Sequence, residues 1–151
     1  MTAFLELSKN YSFYTLPLAW LLTMLPTSYA KSLGGKNYDV AYPRDFVGHV
    51  KKDESLDKAT KGKILRAEAA AANGSETIGL FVGAVLAANY AGVPVETINT
   101  LSIGYLLSRA AFNYTYIFLQ DNRKFAPVRS LIWISGLACW VTLYVKAGNR
   151  L

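Results

Sequence analysis

The hydrophobic positions of this chain are gathered into four long blocks, and charged or polar segments separate them. A helix needs about 20 mostly apolar residues to cross a bilayer. We therefore predict four membrane-spanning helices, at about 11–30, 64–91, 95–119 and 128–146, with a polar loop over 31–63. This pattern indicates an all-α fold, an integral membrane four-helix bundle that forms one domain over residues 1–151.

Three prolines fall at informative places in this pattern. Pro17 and Pro26 lie inside the first predicted helix, where a proline removes a backbone donor and can bend the helix. Pro127 comes just before the fourth block, and proline is favoured in the first turn of a helix. The fourth helix is therefore expected to begin close to Pro127.

Composition supports the membrane interpretation. Hydrophobic residues make up 52% of the chain and charged residues 17%, whereas soluble domains carry about 25% charge. The single Cys139 excludes an intrachain disulfide framework, and its apolar setting predicts a buried, inert thiol. One histidine, His49, cannot build a metal site by itself, so we expect no metal.

Basic residues flank the predicted spans and set their orientation. The loop over 31–63 holds eight Lys and Arg against five acids, whereas the turn "YAGVPVE" between the second and third spans holds no basic residue. The positive-inside rule then places the long loop in the cytosol and both termini on the lumenal side. The net charge of +6 is accordingly attributed to topology and anionic lipid headgroups, with no nucleic-acid partner.

Ionisable residues inside the predicted spans are the most informative feature. The second span begins with Arg66, Asn73 and Glu76, and the third contains Arg109. Glu76 and Arg109 each lie about 15 Å from the cytosolic end of their helix, so we predict a buried ion pair between them. Such a pair serves either stability alone or a functional site.

Further polar and aromatic side chains fall in the same cytosolic half of the bundle. They are Tyr105, Phe112, Asn113, Tyr114, Tyr116, Arg123, Lys124, Arg129 and Ser130. Each also has a structural explanation: tyrosines are common at membrane boundaries, and topology alone can account for Arg123 and Lys124. The opposite halves of the second and fourth helices are apolar, however, and this asymmetry favours a polar site near the cytosolic face.

These residues carry a resemblance to a known family. "RAEAAAANGSETIGLF" resembles the second-helix signature of the MAPEG proteins, the membrane-associated proteins of eicosanoid and glutathione metabolism. "YLLSRAAFNYTYI" is similar to their third helix and "APVRS" to the start of their fourth, while "YPRD" in the first loop is similar to the microbial branch. The resemblance covers about 64–146 well and the first span loosely.

The resemblance implies a homotrimer with active sites between neighbouring subunits, open to the cytosol. Glutathione would bind there as substrate or cofactor, and an arginine near the start of helix four would stabilise its thiolate. The implied catalytic residues are Arg129, Arg123, Ser130 and Tyr114. The implied glutathione-binding residues are Arg66, Asn73, Glu76, Arg109, Tyr105 and Tyr116. In a eukaryotic cell the implied location is the endoplasmic reticulum membrane.

Two positions depart from the better-known glutathione-using members. Ala69 to Ala72 stand where those members carry an additional basic residue, and Phe112 stands where many have tyrosine. Three functions therefore remain open. The first is a glutathione transferase or glutathione-dependent isomerase acting on a lipophilic substrate; the second is a glutathione-independent isomerase or cyclase in the same pocket. The third is a non-catalytic adaptor that binds lipid.

Overall fold

The computed structural model describes residues 9–151, and these residues form helices and no strand. The four long helices and one short helix are α1 (Ser12–Gly34), α2 (Phe46–Lys52), α3 (Lys58–Tyr90), α4 (Val95–Tyr114) and α5 (Ala126–Gly148). A π-helical turn, Thr115–Leu119, extends α4, and a 3₁₀ turn, Arg123–Phe125, leads into α5. The predicted all-α fold is confirmed.

The helix α3 begins about six residues before the predicted second span. Asp57 is its N-cap: one carboxylate oxygen accepts the backbone N–H of Ala59 at 2.9 Å and of Thr60 at 3.0 Å. Such a cap satisfies donors that a helix start leaves without partners. Hydropathy missed this first turn because the residues after Asp57 are polar and lysine-rich.

Within residues 9–151, two helical segments are long and apolar enough to cross a membrane by length and composition alone, Lys58–Tyr90 and Arg123–Gly148. The helices α1 and α4 have 23 and 20 residues, but serine, threonine, asparagine and tyrosine together make up a larger share of them than of α3 and α5. Their membrane insertion therefore stays a prediction.

Small residues allow α1 and α3 to approach closely. A Cβ atom added at Gly74 would lie 3.1 Å from the Thr23 side chain, and Ala67, Ala70 and Ala71 are buried on the same helix. Close approach through small side chains is the usual way in which membrane helices pack. Ala70 and Ala71, two of the four alanines over 69–72, are therefore packing residues.

A hydrogen bond from α4 compensates for the second proline of α1. Pro26 has no backbone N–H, so the carbonyl of Leu22, four residues earlier, lacks its usual helical partner. The side-chain amide of Asn113 donates to this carbonyl at 2.8 Å. The bond lets α1 continue through Pro26 and ties α1 to α4 at the same point.

Two apolar clusters stabilise the two ends of the bundle. In the first, the rings of Phe81 and Tyr105 stack at 3.9 Å between centroids, with Leu143 packed in the same cluster. In the second, Phe46 and Val50 of α2 are buried together with residues of α1, α3 and α4. The amphipathic α2 therefore closes the loop end of the bundle.

The opposite end of the bundle holds a polar network that the sequence analysis did not predict. Asn10 donates to the Asn89 side chain at 2.7 Å, and Asn89 donates to Ser12 at 3.0 Å. The backbone N–H of Tyr11 donates to the Asn99 side chain at 2.9 Å. These bonds join the start of α1 to the end of α3 and the start of α4.

Candidate functional site

A cavity of about 580 Å³ lies between α3 and α5, and the end of α4 contributes to its wall. It is lined by Ala69, Ala72, Asn73, Glu76, Phe112, Tyr116, Arg129, Ser130, Trp133 and Ile134. Five of the ten residues predicted for the site, namely Asn73, Glu76, Tyr116, Arg129 and Ser130, are therefore brought together. The other five lie elsewhere.

Helical spacing explains why α3 and α4 present these side chains together. On α3 the lining residues lie at positions 69, 72, 73 and 76, and this i, i+3, i+4, i+7 pattern places them on one face. Phe112 and Tyr116 are four residues apart across the junction of α4 with its π-helical turn. The same periodicity on α5 adds Trp133 and Ile134, four residues beyond Arg129 and Ser130. The sequence analysis missed both because they lie in an apolar block.

Arg129 brings a cation into this cavity. Its guanidinium lies 4.5 Å from the centroid of the Tyr116 ring, and Tyr116 packs edge-on against Phe112 at 5.6 Å. Arg129 forms no ion pair or hydrogen bond with any residue from 9 to 151. The aromatic ring therefore holds the guanidinium while its N–H groups remain available to a ligand.

Asn73 and Glu76 add complementary groups. The Asn73 Oδ1 atom is buried and has no hydrogen-bond partner among the described residues, so it is an unused acceptor in the cavity wall. Glu76 is exposed and has no ion-pair partner in the same part of the chain. The Ser130 hydroxyl donates to the carbonyl of Ala126 at 3.1 Å and lies beside Arg129.

The predicted ion pair between Glu76 and Arg109 does not form in this structure. Arg109 is 6% exposed and lines a separate space of about 10 Å³, to which α3 contributes Thr77 and not Glu76. Matching depth in the bilayer did not fix the direction of the side chains, because neighbouring positions on a helix differ by about 100°. Arg109 lies instead over the ring of Phe112, 4.4 Å from its centroid.

Arg66 also lies outside the cavity. Its Nε donates to the carbonyl of Ile117 at 3.1 Å, and its Nη1 lies 2.5 Å from a carboxylate oxygen of Asp121. Asp121 was missed by the sequence analysis, although it is the one acid in the turn between the last two long helices. The structure therefore places Arg66 in contact with Ile117 and Asp121, outside the cavity.

Three more predicted site residues are placed away from the cavity. Tyr114 is 59% exposed and lines a groove between α1 and α4, because it lies two residues, or about 200°, from Tyr116. Tyr105 is buried, stacks on Phe81 and lines the small space beside Arg109. Arg123 is exposed in the 3₁₀ turn. Of the two candidate cations, the structure thus brings only Arg129 to the cavity.

The donor set suits an organic ligand better than a metal ion. Within residues 9–151, no group of three or more His, Cys, Asp or Glu residues is placed to hold a metal. Cys139, the free cysteine, is only partly buried and lies on α5 outside the cavity. The cavity offers instead one guanidinium, one carboxylate, one amide and one hydroxyl beside aromatic and aliphatic surface.

The fold and the cavity together define a class: an α-helical bundle with long apolar helices and a cavity lined by both polar and apolar side chains. The sequence model of the MAPEG family matches residues 12–149, so this chain belongs to the MAPEG family. The resemblance inferred from the sequence is confirmed, and with it a membrane helical bundle of a glutathione-related enzyme family. Comparison with curated proteins and with solved structures gave no match.

Proposed function

We propose that this protein is a membrane-bound glutathione transferase or glutathione-dependent isomerase that acts on a lipophilic substrate in the cavity between α3 and α5. The observation that carries the proposal is the guanidinium of Arg129, which reaches the cavity and has no anionic partner among the described residues. A cation beside a thiol lowers the thiol pKa and favours the reactive thiolate.

The groups around the cavity fit glutathione chemically. Glutathione carries a thiol, an ammonium and two carboxylates, so its receptor needs cations, an acid and hydrogen-bonding groups. Arg129 and Glu76 supply one of each charge, Asn73 supplies an acceptor and Ser130 a hydroxyl. Bound glutathione would supply the nucleophilic thiol, while Phe112, with the other apolar residues of the wall, would contact the lipophilic substrate.

We also propose that the cavity is completed by a neighbouring chain of a homotrimer. The lining residues Ala72, Glu76, Ser130 and Ile134 are exposed in the single chain. On α5 only Gly136, Leu143 and Ala147 are buried, so a large part of the surface of that helix is not covered by the described residues. A second chain against this face would shelter the cavity and could add the cation that the second carboxylate of glutathione requires.

In this proposal the protein is a multi-pass membrane protein of the endoplasmic reticulum, if the cell is eukaryotic. The cavity would open towards the cytosol, where glutathione is available. The start of α5, which carries Arg129, follows a basic turn, and basic turns favour the cytosolic side. The lipophilic substrate would arrive from the bilayer.

Ultraviolet absorbance of the thiolate in a stopped-flow instrument tests this function. We expect the purified protein to give a glutathione-dependent thiolate signal, and Arg129→Gln to lose most of it. Lys124→Gln is the matched control, because it removes one exposed cation from the preceding turn without altering the cavity. Absence of any signal at saturating glutathione, or an undiminished signal in Arg129→Gln, would contradict the proposal.

One observation favours a second candidate, a glutathione-independent isomerase or cyclase. The wall contributed by α3 carries Ala69 and Ala72, and Phe112 faces the same space, so three lining positions offer no polar contact. Arg129 or Glu76 would then act directly as acid or base on a hydrophobic substrate. Turnover that persists after complete removal of glutathione would select this function.

A further inference from the structure

Arg66 connects three segments of the chain. It projects from α3, donates from Nε to the carbonyl of Ile117 in the π-helical turn, and pairs through Nη1 with Asp121 in the following turn. A guanidinium can make both contacts at once because its donors are fixed in one plane. The end of α4 and the turn before α5 are therefore tied to the same side chain of α3.

The surroundings of Arg66 are shaped for this contact. Its side chain is 15% exposed, and its Nη2 atom is buried without a hydrogen-bond partner in the described part of the chain. A Cβ atom at Gly62 would lie 3.1 Å from Arg66 Nη1, so the absence of a side chain there leaves room for the guanidinium. Asp121 itself is 63% exposed, but the guanidinium with which it pairs is sheltered, so removal of the carboxylate would leave a largely buried cation without its ion-pair partner.

The segment that Arg66 holds includes Tyr116, one of the residues that line the cavity. Ile117 directly follows Tyr116, whose ring lies against the guanidinium of Arg129. π-Helical turns are wider than α-helical ones, are rare, and often occur at functional sites. A bond to the Ile117 carbonyl from outside the helix stabilises this turn and with it the direction of the Tyr116 ring.

We propose that Arg66 and Asp121 are positioning residues for the cavity: their pair holds the π-helical turn so that Tyr116 keeps the Arg129 guanidinium in place. Neither residue lines the cavity. The inference rests on the proposed function for its catalytic consequence, but the ordering of the turn and the position of Arg129 can be measured without it.

The test compares the wild type with Asp121→Asn, Asp121→Glu and Arg66→Lys, and uses Lys124→Gln as the control for a lost charge in the same turn. Hydrogen exchange, read on peptides covering 115–130, reports the order of the turn. The pH dependence of thiolate formation reports the effect of Arg129 on bound glutathione. A loss of packing alone would not change that pH dependence.

We expect Asp121→Asn and Arg66→Lys to speed exchange over 115–130 several-fold and to raise the midpoint pH of thiolate formation. Lysine keeps the charge but lacks the planar donors for two simultaneous contacts. Asp121→Glu should restore part of both properties, and Lys124→Gln should resemble the wild type. Unchanged exchange, or faster exchange with an unchanged midpoint, would overturn the inference.

If the wild type forms no thiolate, the proposed function fails, and the inference is then decided by structure determination of Asp121→Asn. Displacement of the Arg129 guanidinium beyond about 6 Å from the Tyr116 ring, the limit of a cation–π contact, would support it. An Arg129 that keeps its place against Tyr116 would overturn it.

Discussion

At the scale of single residues, the placement of a side chain depends on which face of its helix it occupies. Glu76 and Thr77 are neighbours in sequence, yet Glu76 lines the large cavity and Thr77 the small space beside Arg109. Tyr114 and Tyr116 are divided in the same way between two sides of α4. The helix face on which a residue lies therefore separates residues that are close together in the sequence.

Asn113 provides a prediction at this scale. Asn113→Leu removes the donor to the Leu22 carbonyl and leaves that carbonyl without a partner, so the free energy of unfolding should fall by about 1 kcal/mol. In a Pro26→Ala background, residue 26 regains a backbone N–H for the same carbonyl. Asn113→Leu should then lower the free energy of unfolding by clearly less than it does in the wild type. Reversible unfolding in mixed micelles measures all four proteins. An equal cost in both backgrounds would show that the Asn113 bond does not compensate for Pro26.

At the scale of elements, the structure extends helices beyond the apolar blocks. The first turn of α3 depends on Asp57, and the hydrogen bonds from the Thr60 side chain and backbone hold the pKa of the Asp57 carboxyl below its ordinary value of 3.8. The loop end is completed by α2, which docks through Phe46 and Val50. Caps and short amphipathic helices of this kind have little apolar signal, so hydropathy does not find them.

The Asp57 cap predicts a pH dependence. Because the pKa is lowered in the folded state, the cap stabilises the helix above the unfolded value, near pH 4, and this contribution is lost as the pH falls through the folded pKa. Asp57→Asn keeps a capping oxygen without the charge, so the first turn of α3 should lose this acid sensitivity. Hydrogen exchange of residues 58–62, corrected for intrinsic rates and measured from pH 6 to below about pH 3, tests it. A wild type and variant with the same acid profile would exclude the cap as the cause.

At the scale of the whole molecule, the charge pattern and the bundle give a prediction of topology. In a Cys139→Ala background, Glu54→Cys in the long loop should react with an impermeant maleimide only from the cytosolic side of sealed vesicles. Tyr90→Cys, which is exposed at the opposite end of α3, should react only from the other side. The reason is the excess of Lys and Arg in residues 31–63, which the positive-inside rule retains in the cytosol. Labelling of both cysteines from one side would contradict four spans in this orientation.

The sequence by itself determined the helical class, the approximate positions of the four long helices and the family. A long apolar segment in a bilayer must satisfy its own backbone hydrogen bonds, and a helix does so within one segment. The motifs around Arg66–Glu76 and Arg109–Tyr116 are specific to the family in combination. The sequence also predicted that Asn73, Glu76, Tyr116, Arg129 and Ser130 share a site. The resemblance to the family, together with the position of these residues in the cytosolic half of the predicted bundle, made that prediction possible.

Only the tertiary structure decided which of the remaining charged and aromatic residues belong to the cavity. Arg66 forms an ion pair with Asp121, and Arg109 packs over the ring of Phe112, away from Glu76. The physical reason is that sequence spacing fixes the faces of one helix relative to each other, whereas the rotation of neighbouring helices is set by packing across them. Small residues such as Gly74, and cross-helix bonds such as that of Asn113, set this rotation, and their partners lie far away in sequence.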